Sequence, residues 1–300
     1  MGRGLLNLGE VPEARRMLER AEKHGASPDV TEQLATIAHK TGRHKDAARG
    51  FLVAAKAPRD TPLEQQFESA RLHRLAGEAW DAAGDKKEAT AAWRRSLATW
   101  EEILSAQLNN RARAEALEES GRVLYHLGNQ KEALAAFAGA IDVDSEQESI
   151  YGDVISFLIV RGHYAEALDA YHRALARNEV TDYLKLYLSL WITDLARLRG
   201  VQPDGLATDF LGQMATRGQR WQNDLARFAL GDLDWKGLYA KADTRGKRAE
   251  AFFYQAIRHY AAGERSDAER RLRGVIASDM LGFFEFDMAR YYLAHGPPRR

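Results

Sequence analysis

The chain of 300 residues contains no cysteine, which excludes disulfides, thiolate metal sites and a cysteine nucleophile while leaving the redox compartment open. It has no net charge either. Lys and Arg together number 43, as do Asp and Glu, so no global field draws in nucleic acid or an anionic membrane. Long apolar runs are also missing. The opening MGRGLLNLGEVPEARRMLER holds none of signal-peptide length, and the most apolar stretch, Tyr183 to Leu198, is interrupted by Lys185, Asp194 and Arg197. As written, the chain is expected to be cytoplasmic and not membrane-inserted. A periplasmic or outer-membrane-anchored location is the alternative if a signal segment precedes it.

The patterns that carry chemistry are absent too. No G-x-x-x-x-G-K-(S/T), G-x-S-x-G or H-E-x-x-H occurs, and Gly2-Arg3-Gly4 is an isolated G-x-G with no strand leading into it. His39 and His44 are five apart, off the spacing that shares a helix face, and a glycine turn lies between them. Glu101-Glu102 and Glu118-Glu119 read as solvated helix faces. The expectation is therefore a chain that is not an enzyme, with no catalytic residue, cofactor or metal.

What the chain does contain is a repeat. A G-x-x-x-(E/D)-A signature recurs at Gly9 to Ala14, Gly42 to Ala47, Gly84 to Ala89, Gly128 to Ala133, Gly162 to Ala167 and Gly263 to Ala268. The turn glycines are 33, 42, 44, 34 and 101 residues apart, so the first and fourth spacings fit a period of about 34 and the last is close to three such periods. The second and third carry extra residues, placed in the loop at Ala57 to Pro62 and in a helix extended through Trp100 to Leu108. Around the turns, small and aromatic residues keep register. Gly77, Trp80, Ala89 and Trp93 surround Gly84; Gly121, Leu124, Ala133, Phe137 and Ala140 surround Gly128; Leu158, Ala167, Tyr171 and Ala174 surround Gly162.

These residues resemble the tetratricopeptide repeat (TPR) family. The resemblance implies an all-α, right-handed superhelix of helical hairpins, about seven to eight pairs, with a half repeat at the N-terminus and a capping helix at the C-terminus. No strand is expected. The small residues let paired helices approach closely, and the aromatics are read as core filling the gap to the next pair. By repeat quality the chain divides into a TPR array over 1–181, degenerate helical pairs over 182–247 with turns near Gly200 and Gly231, and a last repeat plus cap over 248–296. A helix should open at Pro203-Asp204-Gly205 and reach about Met214. The aromatic run FFEFDMARYYL should close the stack, and the tail Pro297-Pro298-Arg299-Arg300 should fray. Only eight residues precede Gly9, so the first pair is half a repeat, and Met1 is expected to be an internal start of a longer protein or to follow a lost extension.

From Trp221 onward the sequence is similar to bacterial TPR lipoproteins of the NlpI type, through Trp221, Phe228, Gly231, Phe253-Tyr254, Gly263, Phe284-Glu285 and Tyr291. That resemblance implies an adaptor that gathers other proteins. It departs from the family in carrying neither a signal peptide nor a lipid-bearing cysteine.

Stacked first helices of the pairs line the inner side of such an array. Projection from the turn glycines places Glu32, Thr36, His39 and Lys40 there, then Arg71, Arg74, Glu78 and Asp81, then Glu115, Glu118, Arg122 and His126, and finally Ser149, Ser156 and Ile159. Arg71, Arg74 and Arg122 are the best candidates to meet a partner's carboxylate, since a planar guanidinium can donate two parallel hydrogen bonds. The alternative is that these arginines are helix charges paired with Glu78, Glu115 and Glu118. The leading expectation is a non-catalytic scaffold or adaptor for protein or peptide partners in a bacterial multiprotein assembly, docking on this groove. A regulatory or sensory segment of a longer enzyme, secretion or transport protein is the alternative. The sequence leaves the oligomeric state open.

Overall fold

The computed structural model describes residues 9–298 apart from 26, 145, 146 and 219, and among these residues there are 16 helices and no strand. The first eight residues, with Gly2-Arg3-Gly4 and the half of the first pair expected there, lie outside the described residues. So do Arg299 and Arg300. The chain falls into two compact units, Glu10–Asp144 and the described residues from 147 to 298.

The first unit is a run of hairpins. Its helices are α1 (Val11–Lys23), α2 (Pro28–Lys40), α3 (His44–Ala54), α4 (Pro62–Ala82), α5 (Lys86–Ser105), α6 (Asn110–His126) and α7 (Gln130–Val143). Each packs on its sequence neighbours, and α4 also touches α6, the first helix of the following pair. The turns inside the pairs are closed alike. Gly42, Gly84 and Gly128 take φ of 86°, 83° and 88°, a conformation in which a Cβ would be strained. The amides that follow them, Arg43, Asp85 and Asn129, donate back to the carbonyls of Ala38, Trp80 and Leu124, which satisfies the end of the first helix as the second begins.

Between the hairpins the geometry depends on small residues. A Cβ on Gly77 would lie 2.3 Å from the Trp93 ring, and one on Gly121 would lie 2.8 Å from Phe137. Ala70, Ala89, Ala116 and Ala133 are fully enclosed beside Trp93, Trp100 and Phe137. The extra residues of the longer spacings sit in the 55–61 connection and in long α4 and α5. Helix α5 ends at Ser105, short of Leu108, where Arg113 donates to the carbonyl of Ala106.

The second unit comprises α8 (Glu148–Val160), α9 (Tyr164–Leu175), α10 (Asp182–Arg199), α11 (Gly205–Thr216), α12 (Trp221–Leu230), α13 (Trp235–Ala240), α14 (Arg245–Ala261), α15 (Arg265–Ile276) and α16 (Phe284–His295). Gly200 and Gly231 end α10 and α12 in the left-handed conformation, and Asp204 caps α11 by accepting from the Ala207 amide at 3.0 Å. Successive pairs are therefore present, yet their packing is not merely serial. Helix α10 contacts α8, α9, α11, α12 and α14, and 14 of its 18 residues are buried, as fits a helix apolar nearly all round.

Several polar residues on α10 find partners inside, although Thr193 Oγ1 and Asp194 Oδ2 are buried without a hydrogen bond to any described residue. Ser189 bonds the Tyr171 hydroxyl at 2.8 Å, Lys185 donates to the Arg177 carbonyl, and Arg197 donates to Asp194 at 2.6 Å. Helix α16 packs on α15, α14 and also α8, so it joins the two ends of this unit rather than only covering the last pair. Pro298 follows it back to the α8–α9 turn, 3.1 Å from where a Cβ on Gly162 would stand.

Candidate functional site

The inward faces of α2, α4 and α6 carry the residues projected from the turn glycines, and the structure joins many of them into one ladder of charges within the first unit. Arg71 donates to Glu32 of α2 at 2.8 Å and to Glu68 on its own helix at 2.6 Å. Arg74 donates twice to Glu119 of α6, at 2.5 and 2.9 Å, and once to Glu78 at 2.6 Å. His126 comes within 3.3 Å of the same Glu78 oxygen while its ring stacks on Trp93, and Arg122 pairs with Glu118. Thr36, His39 and Lys40 are half-buried, Glu115 is exposed, and Asp81 pairs with Lys86 at 2.5 Å. Ile159, projected onto the same face, is instead core of the second unit.

Two sequence expectations need correction. Glu118 and Glu119 are 7% exposed rather than solvated, whereas Glu101 and Glu102 do face water. Position explains the difference, because Glu118 and Glu119 lie where α6 meets α4, and Arg74 there makes burial of a carboxylate tolerable. His39 and His44 are not kept apart by the glycine turn but brought together by it, their Nδ1 atoms 3.4 Å apart. The chain reverses at Gly42, so residues flanking the turn meet at a sequence spacing that a single helix face would forbid.

Electrostatics fix the ladder. Burial works against the charge on Arg74, but Glu119 and Glu78 hold its pKa well above the ordinary value. Burial likewise works against Glu78, yet Arg74 and then His126 keep its carboxyl well below the usual range. Arg74 is thus committed to internal pairing. Glu115 is exposed as a residue, yet partial loss of hydration at its carboxyl, and then the charge of Glu119, push it up. Glu68 and Glu119 were not among the projected residues. The signal for Glu68 lies in the spacing of α4, where Glu68, Arg71, Arg74 and Glu78 repeat every three to four residues along one face.

The second unit holds a cleft of about 510 Å³ between α10, α12 and α14, with Tyr183, Tyr187, Trp221 and Phe283 among its walls and Arg220, Lys247 and Glu250 among its polar groups. Glu250, 5% exposed, accepts from the Tyr187 hydroxyl at 2.5 Å and from Trp221 Nε1 at 2.6 Å. Behind it Glu285, 3% exposed, accepts from Tyr254 at 2.9 Å and from Trp191 at 3.2 Å. Each buried acid thus meets one tyrosine and one tryptophan. Burial first, and then the charge of Glu285, pushes the Glu250 carboxyl up, and burial pushes Glu285 up. This pair is a gathering of ionisable groups away from water. Two glutamates 35 residues apart carry no local signature, so only the packing of α16 onto α14 reveals them.

His259, Glu264 and Asp267 bring three ligand atoms within 4.8 Å of one another at the α14–α15 turn. Asp267 there is paired with Arg270, and His259 meets Glu264 across Gly263. No helix among the described residues is long and apolar enough to cross a membrane.

No curated protein matches the chain. Among solved structures it is similar to the C-terminal part of the TPR repeat-containing protein from Cytophaga hutchinsonii, at 12% identity and a TM-score of 0.36, covering 96% of this chain and 97% of that one. It is also similar to a monomeric mutant of IFIT1 with Gppp-AAAA, at 12% identity and a TM-score of 0.31, covering 89% of this chain and 67% of that one. Residues 1–61 and 92–148 match the family model described as tetratricopeptide repeat, and over these two stretches, which take in α1 to α3 and most of α5 to α7, the chain is similar to that family.

Proposed function

We propose that the chain is a non-catalytic scaffold that binds protein or peptide partners along the face formed by α2, α4 and α6, as an adaptor in a bacterial multiprotein assembly of the kind served by NlpI-type proteins. The observation that carries this reading is the ladder itself. Three successive first helices share one polar face, and its charges are fixed in place by pairing rather than left to move. A partner meeting such a face loses little entropy in ordering it. The half-buried rim, with Thr36, Lys40 and Arg122, would supply the contacts, while buried Arg74 braces the helices beneath it.

The test is capture of partners by the purified chain, compared with a Thr36→Arg/Lys40→Glu variant. These changes crowd and recharge the face without touching the Arg74 pairing. Partner capture lost while helix content and unfolding midpoint are kept would support the reading. Capture unchanged in the variant would retire this face.

A further inference from the structure

The ladder on α2, α4 and α6 is complete at every acid but one. Glu32 and Glu68 share Arg71, Glu78 and Glu119 share Arg74, Glu118 pairs with Arg122, and Asp81 pairs with Lys86. Two arginines thus serve four carboxylates between them. Glu115, one turn before Glu118 and Glu119 on α6, has no ion pair or hydrogen bond among the described residues.

That carboxyl does not stand free in water. Partial loss of hydration works against its charge, and so do the carboxylates of Glu119 and Glu68, while Arg71 and Arg111 act in the opposite sense without pairing to it. Arg71 is already engaged by Glu32 and Glu68, and Arg111, four residues earlier on α6, is exposed. Lys40 is the last residue of α2, beside the Gly42 turn, whereas Glu115 stands in the second turn of α6. Where Glu68, Glu115 and Glu119 come together between α4 and α6, the face therefore carries more negative charge than its own paired cations cancel. An acidic segment would find little to meet, since Arg71, Arg74 and Arg122 are all engaged by carboxylates.

We propose that the partner of this face is a basic peptide segment, one of whose lysine or arginine side chains completes the ladder by pairing with Glu115 between α4 and α6. A carboxylate that has lost part of its hydration gains more from a cation than one in open water does, and its neighbours are already held by their own pairs. Half-buried Glu32 and Glu68 continue the acidic strip along the same face for a second cation of the segment. This inference rests on the scaffold reading and names the chemistry of the partner that the face selects.

Calorimetric titration of the full chain at pH 7 and low ionic strength, where surface attraction is least screened, tests it with two probes. One is a glycine-spaced peptide carrying several arginines, and the other is the same peptide with citrulline in their place, which keeps the shape and loses the charge. Saturable binding of the arginine peptide below about 1 mM, weakened tenfold or more by citrulline, is the result expected. Glu115→Lys should weaken it tenfold or more with helix content and unfolding midpoint kept. Glu101→Lys makes the same charge change at an exposed residue of α5, off this face, and should leave binding within twofold. The proposal is overturned if the arginine peptide does not saturate, if citrulline binds as well, or if the two lysine variants bind alike. Any of these together with partner capture that still depends on Thr36 and Lys40 overturns the basic partner alone and leaves the scaffold reading standing. Capture indifferent to both sets of changes overturns the two together.

Discussion

At the scale of single residues, the first unit depends on one arginine. Arg74 is 7% exposed and serves Glu119 and Glu78 at once, so its removal takes the guanidinium from Glu119 and leaves Glu78 with His126. Arg74→Ala is expected to destabilise the protein by roughly 3–5 kcal/mol, the usual cost of breaking one side of a buried ion pair. The double change Arg74→Met/Glu119→Leu should recover much of that loss, because it removes the orphaned charge along with its partner. Urea unfolding followed by circular dichroism measures both. A single variant as stable as the unaltered chain would show the pairing to be dispensable.

At the scale of elements, the two units use helices differently. In the first, α4 through α7 bury one side through small residues such as Gly77 and Gly121, and each helix leans on its sequence neighbours. In the second, α10 is enclosed by five other helices. Leu188 in its middle is fully buried, whereas Leu206 of α11 is 52% exposed. Leu188→Ala is expected to cost about 2–5 kcal/mol, because the enclosing helices cannot all collapse onto the space left. Leu206→Ala should stay within about 0.5 kcal/mol. The same urea experiment compares them, and equal losses would contradict the central place given to α10.

The elements were legible in the sequence to different degrees. Turn glycines with a small residue five positions on announce α2 to α9, α14 and α15, since a left-handed residue and a close helix approach both demand particular side chains. Helices α10 to α13 have weaker turn chemistry, and their order follows from helical period with Gly200 and Gly231 and, for α11, from the opening at Pro203-Asp204-Gly205. Nothing local marks α10 as enclosed, because an apolar helix of 18 residues reads the same whether two or five neighbours surround it.

At the scale of the whole molecule, the buried acids of the two units respond to pH with opposite sign. Glu250 has its folded-state pKa raised, up to about 8, so in the folded state it keeps a proton that the unfolded chain releases above about pH 4.5. Its contribution to stability is fully present below that unfolded value and is lost as pH rises through about 8. Glu78 has its pKa depressed, so its contribution is present above the ordinary glutamate value and is lost as pH falls through the lowered one. Glu250→Gln, which mimics the protonated acid, should therefore leave the urea midpoint almost unchanged at pH 5 and fall less than the unaltered chain by pH 9. Parallel falls in the two proteins would remove Glu250 as the source.

The sequence by itself determined the hairpin: glycine at the turn, alanine at the close approach and an aromatic toward the next pair are demands of backbone geometry and volume, and these act between residues within one period of each other. It also determined which face of the first helices would be polar, because that face follows from the helical repeat. Only the tertiary structure decided which charges on it are spent on one another, as Arg74 is on Glu119, 45 residues away. The meeting of Glu250 with Glu285 and the enclosure of α10 were decided there too. Such pairings depend on how far one helix turns and slides against another, a quantity set by the packing of every side chain between them rather than by any one stretch of sequence.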